Sequence, residues 1–151
     1  MDVLLESLIQ LFDRDLSKLE EEIKLYPSEE SMWKIAGDIK NSGGNLCLHV
    51  CGNLQHFIGS VLGATGYQRN RDYEFSAKDV AREVLISEIQ RTKKDVLQTL
   101  EKLSAEDLIK EYPVQVFGSP MSTTFFLVHL NSHLMYHLGQ VNYHRRLSML
   151  L

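Results

Sequence analysis

Apolar residues recur at helical steps in four long stretches of the chain, and no stretch shows the sustained alternation of a strand series. Over residues 3–25 they fall at Leu4, Leu5, Leu8, Phe12, Leu16, Leu19 and Ile23, with Glu20, Glu21, Glu22 and Lys24 on the opposite side. The steps of three and four predict an amphipathic helix, ended by Pro27. Residues 28–42 read as a connection holding one helical turn around Trp33, closed by Gly43-Gly44. A second helix is expected from about Asn45 to Leu62, and 64–75, rich in Gly, Asn, Asp and Arg, as a long loop. Ser76 as N-cap, with Asp79 in the first turn, opens a third helix to about Leu103, with Val80, Val84, Ile89, Val96, Leu97 and Leu100 facing inward. One further turn begins at Ser104, Tyr112 to Gly118 is extended, and a last helix runs from near Ser122 to about Leu147. The fold class is therefore all-α: a four-helix bundle with long connections, forming one domain over 1–151.

The second and last helices differ from the other two in kind. No Asp, Glu, Lys or Arg occurs between Lys40 and Arg69 or between Glu111 and Arg145, and these two gaps contain all six histidines. A helix apolar nearly all round is buried on most sides, so both helices are expected at the centre of the bundle. The gaps also predict a site free of formal side-chain charge. Over the whole chain, 16 basic against 20 acidic residues leave −4 with histidine neutral. That balance argues against broad nucleic-acid binding and adhesion to an anionic membrane. The N-terminus has no basic region before an apolar run, and no segment is apolar enough to span a bilayer, so a cytoplasmic location is expected. Two cysteines are too few for a disulfide scaffold.

At roughly 100° per residue, Asn45, His49, Asn53, His56 and Ser60 share one stripe of the second helix. His129, His133, His137, Gln140 and His144 share one face of the last. Imidazoles at i and i+4 can bind one ion, which both His129/His133 and His133/His137 satisfy. His129 with His137 does not, because eight residues span ~12 Å, and His49 with His56, ~10 Å apart, cannot both ligate one ion. Spacing therefore points to one histidine of the second helix plus an adjacent pair of the last, leaving coordination positions open as reactive metal sites do. Neither helix carries a carboxylate, which excludes a ferritin-like di-iron site. A lone histidine in a buried helix is more often a hydrogen-bonded core group than a ligand; six confined to two uncharged helices are the stronger signal. His56 and His129 read as cavity groups, and His144, beside Arg145 and Arg146, as surface or interface. Cys47 and Cys51, nearly opposite His49, read as small buried hydrophobes. Trp33, Phe57, Phe125 and Phe126 read as core or cavity wall.

Leu48-His49-Val50-Cys51-Gly52-Asn53-Leu54 together with His133-Leu134-Met135-Tyr136-His137-Leu138-Gly139-Gln140 resembles the DinB/YfiT-like superfamily of metal-binding four-helix bundles. Arg69-Asn70-Arg71-Asp72-Tyr73-Glu74-Phe75 is similar to one uncharacterised branch of it. The resemblance implies His49, His133 and His137 as ligands of one divalent ion, zinc or nickel, with His129 near the site but not bound. It implies a homodimer acting on a small molecule, and a low-molecular-weight thiol as co-substrate in S-transfer. Arg69 and Arg71 are then candidates for holding an anionic thiol. Leu138 stands where many members carry arginine, leaving that anion contact to Arg145 or Arg146. Metal-dependent hydrolysis, with His129 or His56 as base, and a non-catalytic metal-binding bundle are the alternatives.

Overall fold

A computed structural model describes residues 2–151. Helix α1 spans Val3–Leu25; the Asp2 carboxylate caps it, accepting from the amides of Leu4 and Leu5. Six of the seven apolar positions read from the sequence are buried there, and Leu4 is the exposed exception. A short 3₁₀ turn, Glu30–Trp33, supplies the expected turn before the second long helix.

Helix α2 (Gly43–Leu54) begins two residues earlier than expected, and every one of its residues is buried. Gly43 and Gly44 form its first turn instead of closing the preceding connection, and their lack of a side chain leaves room for two neighbouring rings. A Cβ on Gly43 would lie 1.9 Å from Tyr26 Oη, and one on Gly44 would lie 2.7 Å from the Trp33 ring. Ser42 caps the helix through its Oγ, 3.2 Å from the Asn45 amide. The helix continues as a π-helical segment, Gln55–Ser60. The wider i→i+5 ladder shows in the Val61 amide, which donates to the His56 carbonyl at 3.0 Å. The neighbouring Phe57 carbonyl accepts instead from Tyr112 Oη at 2.6 Å, which satisfies a group that burial would otherwise leave costly.

The stretch expected as loop contains helix α3, Arg71–Ser76, capped by the Asn70 side chain. Ser76 therefore ends a helix instead of starting one. Helix α4 spans Arg82–Leu100, with Asp79 in the left-handed region at φ +57° before it. Ile89, Val96 and Leu100 are buried as expected, but Leu85 takes the place expected for Val84, which is half exposed. Helix α5, Ala105–Ile109, carries a capping box between Ser104 and Asp107. The extended stretch makes only an isolated bridge between Glu111 and Ser122. Helix α6, Thr123–Leu147, is capped by Ser122.

The four long helices close a ring in which α1 and α2 each pack against both α4 and α6. Helix α6 is less central than expected. Phe125, Val128, Met135, Tyr136 and Tyr143 line an exposed side of it, so Phe125 is not core. Its inner side, with Phe126, Leu127, Leu130, Leu134, Leu138 and Val141, faces α1 and α2.

Candidate metal centre

His49 on α2 and His133 and His137 on α6 meet where these two helices pack, each offering a ligand atom within 4.8 Å of the others. The approach is through Nε2: His133 Nε2 lies 3.3 Å from His49 Nε2 and 3.1 Å from His137 Nε2. His49 is nearly closed off from solvent, whereas His133 and His137 are half-buried. The outer nitrogens explain this orientation. His49 Nδ1 lies 3.0 Å from Glu74 Oε1, and His137 Nδ1 lies 2.7 Å from Gln140 Oε1. Both partners are oxygens that accept, so each Nδ1 carries the proton and each Nε2 presents a lone pair to the cluster. His133 Nε2 has at most one proton when neutral and can answer only one of the two. At least one Nε2 lone pair therefore faces a nitrogen with no proton to meet it, an arrangement that a cation relieves.

Electrostatics favour the neutral rings that metal binding needs. Burial, then the neighbouring His137, His49, His129 and Arg69, pushes the His133 imidazole down to about 4. Burial also lowers His137, partly offset by its bond to Gln140. Three imidazole nitrogens are a donor set that could hold one metal ion.

The expectation of a charge-free site does not hold. Helix α3 and the residue just before its cap bring Glu74 and Arg69 against His49. Burial pushes the Glu74 carboxyl upward, but hydrogen bonds from His49 and Arg69 outweigh it, and the net shift is downward. Pattern reading missed Glu74 because its short helix lies in a polar stretch. The available signal was Asn70, whose side chain accepts from the Tyr73 amide at 3.1 Å. Arg69 is the guanidinium at the cluster, its Nη2 3.4 Å from His49 Nδ1. Neither candidate for the role of the absent arginine at Leu138 takes it up: Arg145 is tied to Glu22 of α1, and Arg146 lies over the Tyr143 ring. Arg71 lies over Phe75.

The remaining histidines separate cleanly. His129 stacks near His133 with ring centroids 6.2 Å apart, one turn before the pair. His56 follows in the π segment, half-buried, its pKa lowered by burial and by Arg69. His144, expected at the surface or an interface, is buried within the chain: Nε2 donates to the Lys34 carbonyl at 2.8 Å, so Nδ1 accepts from Tyr26 Oη at 2.7 Å. Cys47 and Cys51 are buried free thiols, as expected. A cleft of about 560 Å³ opens beside the cluster, walled by His137, Gln140, Tyr136 and Tyr143 on α6 and by Ile39, Lys40 and Asn41 opposite.

A family model described as a protein of unknown function, DUF1572, matches residues 2–148. No curated protein matches the chain. Among solved structures, a DinB-like protein from Bacillus cereus ATCC 10987 superposes with a TM-score of 0.73 at 17% identity, over 93% of this chain and 90% of that one. A conserved protein from Enterococcus faecalis superposes with a TM-score of 0.80 at 15% identity, over 99% and 98%. At such identities the likeness shows the fold, which is DinB-like and all-helical. Among the described residues, no helix is long and apolar enough to cross a membrane.

Proposed function

For this chain, which belongs to the DUF1572 family, we propose a divalent-metal-dependent enzyme, a low-molecular-weight-thiol S-transferase, whose ion is held by His49, His133 and His137. The observation that carries the reading is the convergence of three Nε2 atoms at 3.1–3.3 Å steps, with two outer nitrogens tied to accepting oxygens. Three nitrogen ligands leave positions open, as sites that handle substrate do. When bound, a zinc or nickel ion lowers the pKa of a coordinated thiol, so that thiolate is available at neutral pH. The cleft beside His137 is of the size that takes a small molecule, with Lys40 to meet an anionic group and Ile39, Leu46 and Leu147 to cover an apolar body.

Transfer is favoured over hydrolysis by the state of the carboxylate at the cluster. Glu74 is occupied by His49 and Arg69 and is not free to take a proton from water, whereas a thiol brings its own nucleophile. A metal-dependent hydrolase is the second reading, with His129 as the candidate base: its ring lies 6.2 Å from that of His133 and has no hydrogen-bond partner among the described residues. The exposed apolar side of α6 supports a homodimer. One domain and a cytoplasmic location complete the reading, the latter supported by two free thiols.

Elemental analysis of untagged wild type and His133→Ala tests the site. About one ion per chain is expected, as for a mononuclear three-histidine site, and its loss in the variant; no ion in wild type after chelator-free purification refutes the site. Thiol-dependent conversion of an electrophile panel, lost in His49→Ala, tests the reaction. Thiol-independent ester or amide hydrolysis would favour the second reading, and a bound ion with neither turnover would leave a non-catalytic metal-binding bundle.

A further inference from the structure

Glu74 is almost fully buried, at 3% exposure, and all its partners are charged or polar groups at the candidate centre. Its Oε1 accepts from His49 Nδ1 at 3.0 Å and from Arg69 Nη2 at 2.9 Å, and its Oε2 accepts from Arg69 Nε at 2.9 Å. Burying such a pair is expensive, and an arginine–carboxylate bridge in the interior is weak evidence for stability by itself. The surroundings are nevertheless built around it. The side-chain Nδ2 of Asn45, one turn before His49, donates to the backbone carbonyls of Glu74 and Ala77 at 3.1 and 2.8 Å, which pins α3 against α2. Gly52 leaves the space the carboxylate fills: a Cβ there would stand 2.0 Å from Oε2 and 2.6 Å from Cδ. Phe75 covers the His49 ring, with centroids 4.8 Å apart.

We infer that Glu74, clamped by Arg69 and admitted by Gly52, is a positioning residue that holds His49 with its proton on Nδ1 and Nε2 aimed at the ion. This rests on the metal reading proposed above. A carboxylate behind a ligating imidazole fixes the tautomer and raises the ring's basicity, and losing it typically costs roughly 10–100-fold in metal affinity. In a role confined to holding α3 in place, the pair would set stability and leave ion affinity alone. The same holds if the bridge is simply an interior salt bridge that happens to touch His49.

Two variants separate these roles. Glu74→Gln removes the charge and keeps the shape. Gly52→Ala removes no polar group and improves helix propensity, but its methyl must displace the flexible end of Glu74. Zinc affinity is read by competition with a chromophoric chelator, thermal stability is read with metal stripped, and the His49 tautomer of the metal-free protein is read from ¹⁵N shifts. The expected result is an Nδ1–H tautomer in wild type, mixed tautomers in Gly52→Ala, and zinc affinity lowered roughly 10–100-fold in both variants. Metal-free Gly52→Ala should remain folded. Wild-type affinity and tautomer in both variants overturn the inference while the three-histidine site stands. Absence of zinc binding in wild type overturns the site and this inference together.

Discussion

Replacing His133 by leucine should have opposite effects on the metal-free and metal-loaded protein. His133 Nε2 touches His49 Nε2 at 3.3 Å and His137 Nε2 at 3.1 Å, and one proton cannot serve both contacts. Without an ion, leucine removes a nitrogen–nitrogen contact that no proton satisfies and sets an apolar side chain of similar size at a half-buried position. Half of the burial value of a leucine is roughly 1 kcal/mol, so the metal-free variant should match or slightly exceed metal-free wild type. With an ion present the sign reverses. Zinc at 100 times its dissociation constant stabilises a protein by about 2.7 kcal/mol. In a chain of this length that raises the wild-type midpoint by roughly 5–11 °C, an increment the variant should lose. Thermal melts of both proteins, with excess chelator and with excess zinc, give the four values needed. A fall of more than about 2 kcal/mol in the metal-free variant, the cost of orphaning buried partners, with no zinc increment in wild type, would refute the reasoning. The histidines would then be a network that holds the fold by hydrogen bonding.

Tyr26→Phe should lower stability by roughly 1–3 kcal/mol, because His144 Nδ1 is left buried without its donor, while metal content stays at the wild-type value. A change in metal content would connect His144 to the centre. Glu22 is drawn upward by burial but, more strongly, downward by Arg145 and Asn142, so its pKa is lowered in the folded state. A lowered carboxylate adds stability above its ordinary value, and that stability is lost as pH falls through the folded value. Glu22→Gln should therefore be less stable than wild type at neutral pH, with the two converging in acid. Denaturant midpoints that stay parallel across pH would contradict this.

The long helices were legible because each buries one face, and burial is what apolar spacing records. Asn45, His49 and Asn53 fall on one stripe by arithmetic, and the structure buries all three. The same arithmetic left His56 beside His49 and His129 beside His133 as equals. The reading of His56 and His129 as cavity groups and the resemblance together single out three histidines, and the Nε2 atoms of those three cluster. Tertiary contacts explain the misses. Ser76 and Asp79 look like a helix start, but Asn45 holds the Ala77 carbonyl and Glu29 takes the Arg82 amide, so α4 begins later. The exposed side of α6 is apolar, and hydropathy does not distinguish an apolar face against a core from one against solvent. The six-residue π segment is invisible because i→i+4 and i→i+5 ladders part by about one residue, too little to alter the spacing of so few side chains.

That segment bears on how the chain tolerates changes in length. Its wide turn holds about one residue more than an α turn. Deleting one residue between 55 and 60 would remove that extra residue, close an ordinary ladder and leave everything beyond in nearly the same phase. Gly63, whose missing Cβ accommodates Thr99, would keep its place, and the cost would fall on Tyr112, which would lose the carbonyl that the wide turn leaves free for it. His49 lies before the segment and would keep its place against α6. A single-codon deletion here would therefore spare both the histidine cluster and the packing on α4, whereas the same deletion in a regular α-helical stretch would rotate everything beyond it by roughly 100°.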